Sequence, residues 1–231
     1  MNLVKTLRMF HGFWSLSQDP NKLERVFEIA DAGENRKILE EIAAGVGRHP
    51  RGARALRECP RVGEIDLEAL RELPEGTLGR VFAHHMIGNG LDPKAIPVPE
   101  IEPGDVRYVK AHIRETHDIW HVVTGFDTDV AGEIGLQAFY LAQFPAHLSA
   151  ALIAMAFVHI ATKNLGASDA MMNEIMRGWT IGKRADQFFG FEWAKHWATP
   201  LEEVRRMLNV DPNPREAALT PKQSYVFREA A

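Results

Sequence analysis

Apolar side chains recur along this chain at intervals of three and four, and no stretch holds a convincing strict alternation, so the pattern predicts helices throughout. In the first half the segments 22–32, 34–44, 50–58, 67–73 and 78–87 read as helices. The second half gives 104–123, 130–143, 146–165, 168–188, 192–197 and 201–208. Turn chemistry separates them at Pro60, at Pro74-Glu75-Gly76, along a proline-spaced loop from Gly88 to Pro103, and at Asp211-Pro212-Asn213-Pro214. The expected fold class is therefore all-α: a single multi-helix domain over residues 21–210, an amphipathic N-terminal segment over 1–20 and a loosely ordered tail over 211–231.

Two of these helices carry the candidate chemistry. His117 and His121 sit four apart on one helix and project from the same face about one turn apart, with Asp118 three residues before His121. The run Thr124-Gly125-Phe126-Asp127-Thr128-Asp129 is rich in turn residues and offers Thr128 or Asp129 as the start of the next helix, which carries Glu133. The two helices should form an antiparallel hairpin. His121 and Glu133 lie six residues either side of Asp127, so they face each other at one height, and by the same count Gln137 falls opposite His117. The pattern predicts a metal site held by His117, Asp118, His121 and Glu133, with Gln137 orienting an imidazole or a bound water. In zinc proteases the residue after the first histidine is a glutamate acting as base; the shorter Asp118 reaches back towards the metal and reads as a ligand first. Without a metal, His117 and Asp118 would be solvated residues on a helix whose Ile113, Trp120 and Val123 face the core. His112, His147, His159 and His196 are expected to be structural histidines with satisfied hydrogen bonds.

Composition narrows the class. With 231 residues, 45% of them hydrophobic, the chain can bury a sizeable core, and no linker-like stretch divides it. A formal net charge of -4 with no basic stripe argues against nucleic acid as a partner. Cys59 is the only cysteine, which excludes an intramolecular disulfide and a cysteine-based metal site. The apolar run 148–161, interrupted by Ser149 and His159, is too short to span a bilayer. With Phe139, Tyr140 and Phe144 it could line a groove for an isoprenoid tail, although such a run in a helical domain is more often core. The first sixteen residues, with Lys5, Arg8 and an apolar set including Leu3, Leu7, Phe10 and Trp14, either lie on a membrane surface or pack on the core.

The motif His117-Asp118-x-x-His121 with Glu133 after eleven residues resembles that of the ubiquinone (coenzyme Q) biosynthesis proteins of the Coq-four type. Cys59-Pro60-Arg61-Val62 and Leu73-Pro74-Glu75-Gly76-Thr77-Leu78-Gly79 are similar to two further segments of that family, and the resemblance runs from about Asn21 to Val210, including Trp193. It implies an all-helical fold, a homodimer, peripheral membrane association and a divalent metal on His117, Asp118, His121 and Glu133. Zinc is the metal it implies; the same donors would also accept iron or manganese. The implied partners are a prenylated aromatic or isoprenoid lipid and the other quinone-biosynthesis proteins. The implied reaction is oxidative decarboxylation at C1 of a polyprenylated 4-hydroxybenzoate, with hydroxyl replacing carboxyl, and the expected location is the cytoplasmic face of a bacterial inner membrane (the mitochondrial inner membrane in eukaryotic relatives). Arg80, Arg177 and Arg184 are candidates to pair with a substrate carboxylate, although an arginine so placed is more often a surface residue. Two other readings compete: a lipid-binding scaffold in which the metal is structural, and a phosphohydrolase, which would recruit His84 or His85 and Asp169 as further ligands.

Overall fold

The computed structural model describes residues 36–94, 101, 106–163 and 165–214; the expected helix over 22–32 and the N-terminal segment lie outside these. Among the described residues every regular element is a helix, as the periodicity predicts. They are α1 (Arg36–Val46), α2 (Pro50–Glu58), α3 (Leu67–Arg71), α4 (Leu78–Gly88), α5 (Tyr108–Thr124), α6 (Val130–Gln143), α7 (His147–Lys163), α8 (Ser168–Arg184) and α9 (Leu201–Met207), with short 3-10 turns at Leu165–Ala167 and Trp193–His196.

Local chemistry sets the helix starts. Pro50 opens α2 behind the His49 cap, the Asp66 side chain accepts from the Ala69 amide at α3, and Asp129 accepts from the Gly132 amide at 2.8 Å to start α6. Helix ends depart from the periodic reading where tertiary bonds take over. The expected 168–188 helix stops at Arg184 because the Asp186 amide donates to the Leu208 carbonyl and the Phe188 amide to the Gln143 side chain. Those bonds turn Phe188 and Phe189 inward, where both are fully buried. The α3 helix stops at Arg71, just ahead of the Leu73–Pro74 step that disfavours helical backbone.

Trp120 of α5 stands at the centre of the main core, in contact with the rings of Phe139, Tyr140, Phe144 and Phe188. Phe139, Tyr140 and Phe144 are core residues and do not line a groove. Helices α6 and α8 lie backbone against backbone: a Cβ on Gly178 would overlap the Gly135 carbonyl, and one on Gly182 would fall 2.8 Å from the Phe139 carbonyl oxygen. That close approach holds the helix carrying Glu133. The apolar helix α7 buries Ala156 and Ile160 in a second, smaller cluster with Ile134 and Met171, while Phe157 and Val158 face outward. Among the described residues no helix is long and apolar enough to cross a membrane.

Candidate metal centre

Gly125, at φ 73°, ends α5 in the left-handed conformation and reverses the chain, so the Gly125 and Phe126 amides both donate to the His121 carbonyl. This turn brings the Phe126 carbonyl back over the helix end, 3.2 Å from His121 Nδ1. A carbonyl only accepts, so Nδ1 carries the proton and Nε2 of the neutral ring presents its lone pair. His117 Nδ1 lies 3.1 Å from the Tyr140 hydroxyl. Burial, reinforced by the charges of Glu133 and Asp118, holds the Tyr140 phenol well above its ordinary pKa, so it stays protonated and its oxygen can accept from His117 Nδ1–H.

With both Nδ1 atoms engaged, the two Nε2 atoms meet 3.3 Å apart, and Glu133 reaches them at 3.2 Å from His121 and 3.7 Å from His117. His121 is 1% exposed, His117 15% and Glu133 29%. Burial pushes the Glu133 carboxyl up, but its hydrogen bonds and charge contacts with both histidines outweigh this and hold it below the usual range. At His117 burial lowers the pKa, and Glu133 and Asp118 more than offset it. The donor set fits a divalent metal. Nitrogen donors about 2.0–2.1 Å from a tetrahedral ion stand roughly 3.3 Å apart, which is the spacing between these two Nε2 atoms. Two neutral imidazoles and a carboxylate are the donors that zinc takes.

Among the described residues, His117, His121 and Glu133 are those whose ligand atoms all lie within 4.8 Å of one another. Asp118 is not among them; its half-buried side chain borders a neighbouring cavity. Gln137 does not reach His117 either, since its Oε1 accepts from Ser149 Oγ at 2.7 Å and Tyr140 takes the place expected of it. Among the described residues the group includes none of His84, His85 and Asp169, the further ligands of the phosphohydrolase reading.

Two arginines brace this hairpin. Arg205 of α9 donates to the Val123 and Val122 carbonyls at 2.9 and 3.1 Å, binding the C-terminal end of α5. Arg177 of α8 sits 3.9 Å over the Phe126 ring and donates to the Pro212 carbonyl at 3.0 Å and, more weakly, to those of Thr124 and Gly125. Arg177 is thus a clamp on the turn that orients His121, while Arg80 donates to the Leu73 carbonyl and Arg184 is exposed. Tyr140 and these clamps escaped sequence reasoning; the cation at a helix C-terminus is the one signal that could have found Arg205, and it sits in another helix.

Fold and site together define an all-helical protein whose histidines and glutamate converge on a helix hairpin. Comparison with known proteins makes this specific. The chain belongs to the family described as coenzyme Q (ubiquinone) biosynthesis protein Coq4, whose model matches residues 5–214. It is 26% identical over 201 residues to the mitochondrial ubiquinone biosynthesis protein COQ4 homolog of Bos taurus, covering 85% of this chain and 74% of that one. With the mitochondrial ubiquinone biosynthesis protein coq-4 of Caenorhabditis elegans it shares 28% identity over 199 residues, 84% of each chain. The crystal structure of a protein from Nostoc punctiforme, provisionally assigned to ubiquinone biosynthesis, superposes with a TM-score of 0.77 at 34% identity, covering 88% of this chain and 95% of that one.

Proposed function

We propose that this ubiquinone biosynthesis protein is a metal-dependent enzyme that decarboxylates a polyprenylated 4-hydroxybenzoate oxidatively at C1. The observation that carries this reading is the convergence of His117 Nε2, His121 Nε2 and Glu133, with both imidazoles held at Nδ1 by partners that leave Nε2 available. Asp118, one residue beyond His117, joins as a fourth ligand by turning its carboxylate inward. A bound divalent ion, zinc first and iron or manganese by the same donors, would supply Lewis acidity to a carboxylate or phenolate. The chain's own residues fix geometry and protonation: Tyr140 and the Phe126 carbonyl hold the imidazoles in one tautomer, and Glu133 stays ionised. Replacing the ring carboxyl by a hydroxyl from water releases carbon dioxide, two protons and two electrons. Zinc and these side chains do not take up electrons, so dioxygen or a redox partner accepts them.

The test is release of labelled carbon dioxide from a prenylated 4-hydroxybenzoate carrying label at its carboxyl carbon. Wild type should release it and Glu133→Gln should not; equal release by both would remove the cluster from the reaction. A scaffold that carries prenylated intermediates is the second reading, favoured by the apolar side chains that α7 and α8 expose: Phe157, Val158, Met172, Met176 and Trp179. The same surface suits peripheral attachment to the cytoplasmic face of an inner membrane, beside the other quinone-biosynthesis proteins. On the scaffold reading, Glu133→Gln loses metal without losing quinone synthesis in a complementation assay. A homodimer is part of both readings.

A further inference from the structure

The seam between α4 and α5 holds a feature that the hairpin does not explain. Phe82 of α4 and Asp118 of α5 both line a cavity of about 490 Å³, whose walls also include Arg61, Ile65 and Arg114. About one turn further along each helix, the rings of His85 and His121 stack with centroids 6.1 Å apart and planes 23° from parallel. The His85–His121 pair thus lies about one turn along the helices from Phe82 and Asp118, and His85 itself does not line the cavity.

His85 Nε2 is buried and has no hydrogen-bond partner within the protein. A buried imidazole nitrogen left unpaired is destabilising, which an apolar side chain of similar volume would not be. His85 is outside the group whose donor atoms converge, and its ring lies against that of His121, a member of the group. Its neighbours belong to the site: burial and the proximity of His121 favour the neutral ring, against the opposing charges of Asp118, Asp127 and Glu133. The cavity combines the apolar side chains of Ile65, Phe82 and Pro93 with charged groups of both signs, a mixed lining that can take an aromatic ring with a polar substituent.

We propose that His85 is a substrate-binding residue: its Nε2 hydrogen-bonds a carboxylate or phenol oxygen of an aromatic acid that enters along the α4–α5 cavity, an inference that rests on the functional reading above. The test is calorimetric titration of the holo-protein with 4-hydroxybenzoate as the head-group probe, for wild type, His85→Leu and His85→Gln, with the metal content of each preparation measured in parallel. The inference expects equal metal content in all three, affinity about tenfold weaker in His85→Leu, the scale of one buried hydrogen bond, and recovery to within about threefold in His85→Gln, whose amide can reach the same position. Should circular dichroism show His85→Leu misfolded, His85→Asn, too short to reach, takes its place with the same expectation. Equal affinity in wild type and His85→Leu overturns the inference, as does a metal-loaded wild type that binds no 4-hydroxybenzoate. Loss of metal in His85→Leu would make His85 a ligand and also overturn it. A wild type without metal would bring down the functional reading itself, and the affinity ratio between the proteins would then decide the role of His85 alone.

Discussion

At the scale of single residues, what each histidine of the cluster can do is decided by its second nitrogen. His121 is held by the Phe126 carbonyl, a backbone group, whereas His117 depends on the Tyr140 side chain, which makes that partner removable. Tyr140→Phe should keep the fold, since the ring stays packed on Trp120 at 4.7 Å between centroids, yet weaken metal binding by about 10–100-fold. Titration against a chromophoric chelator measures this, and unchanged affinity would mean that the hydroxyl does not orient His117. The pair His117 and His121 was legible because a spacing of four fixes one helix face, and Glu133 because a short turn fixes the register of a hairpin. Counting equal arms from Asp127 fails one turn deeper, where Tyr140 and not Gln137 meets His117. His85 comes from a separate helix, and no periodicity relates it to the motif.

At the scale of elements, the site depends on how α5 and α6 are held by their neighbours. The α6–α8 contact is set by glycines, and a methyl at Gly178 meets backbone that cannot yield. Gly178→Ala should therefore push α8 away from α6 and destabilise the protein by about 1–3 kcal/mol or more, seen as a lower urea midpoint. A midpoint equal to wild type would show that the two helices can separate freely. Arg205→Met removes two bonds to the end of α5 while keeping much of the aliphatic packing; a loss of about 1–3 kcal/mol is expected, again from urea unfolding, and no change would reduce the clamp to a surface contact. The existence of these helices was readable from periodicity. Several of their ends were not, because bonds such as the Phe188 amide to Gln143 join residues far apart in the chain.

At the scale of the whole molecule, His112 ties three separate parts together. The Gly190 amide donates to its Nε2 at 3.0 Å, leaving Nδ1–H to donate to the Tyr108 hydroxyl at 3.1 Å, and that hydroxyl donates to the Pro60 carbonyl at 2.8 Å. Burial, with Arg61 nearby, pushes His112 down to about 3, against the weaker opposing effect of the Pro60 carbonyl as an acceptor. The folded state thus keeps this ring neutral where the unfolded chain, titrating near an ordinary 6.5, takes up a proton. Its contribution to stability is fully present above about pH 6.5 and is lost as the pH falls towards 3, with a slope of at most about 1.4 kcal/mol per pH unit. His112→Gln should flatten that part of the stability curve measured by urea unfolding at stepped pH. An unchanged slope would assign the acid sensitivity to other groups.

Whether His117, His121 and Glu133 hold a metal is answered by metal stoichiometry from plasma mass spectrometry on untagged protein purified without chelator, wild type beside His121→Ala. Close to one equivalent of a divalent metal is expected in the wild type, with its loss in a folded variant. Wild-type protein without bound metal, or a variant that keeps its full equivalent, would contradict it.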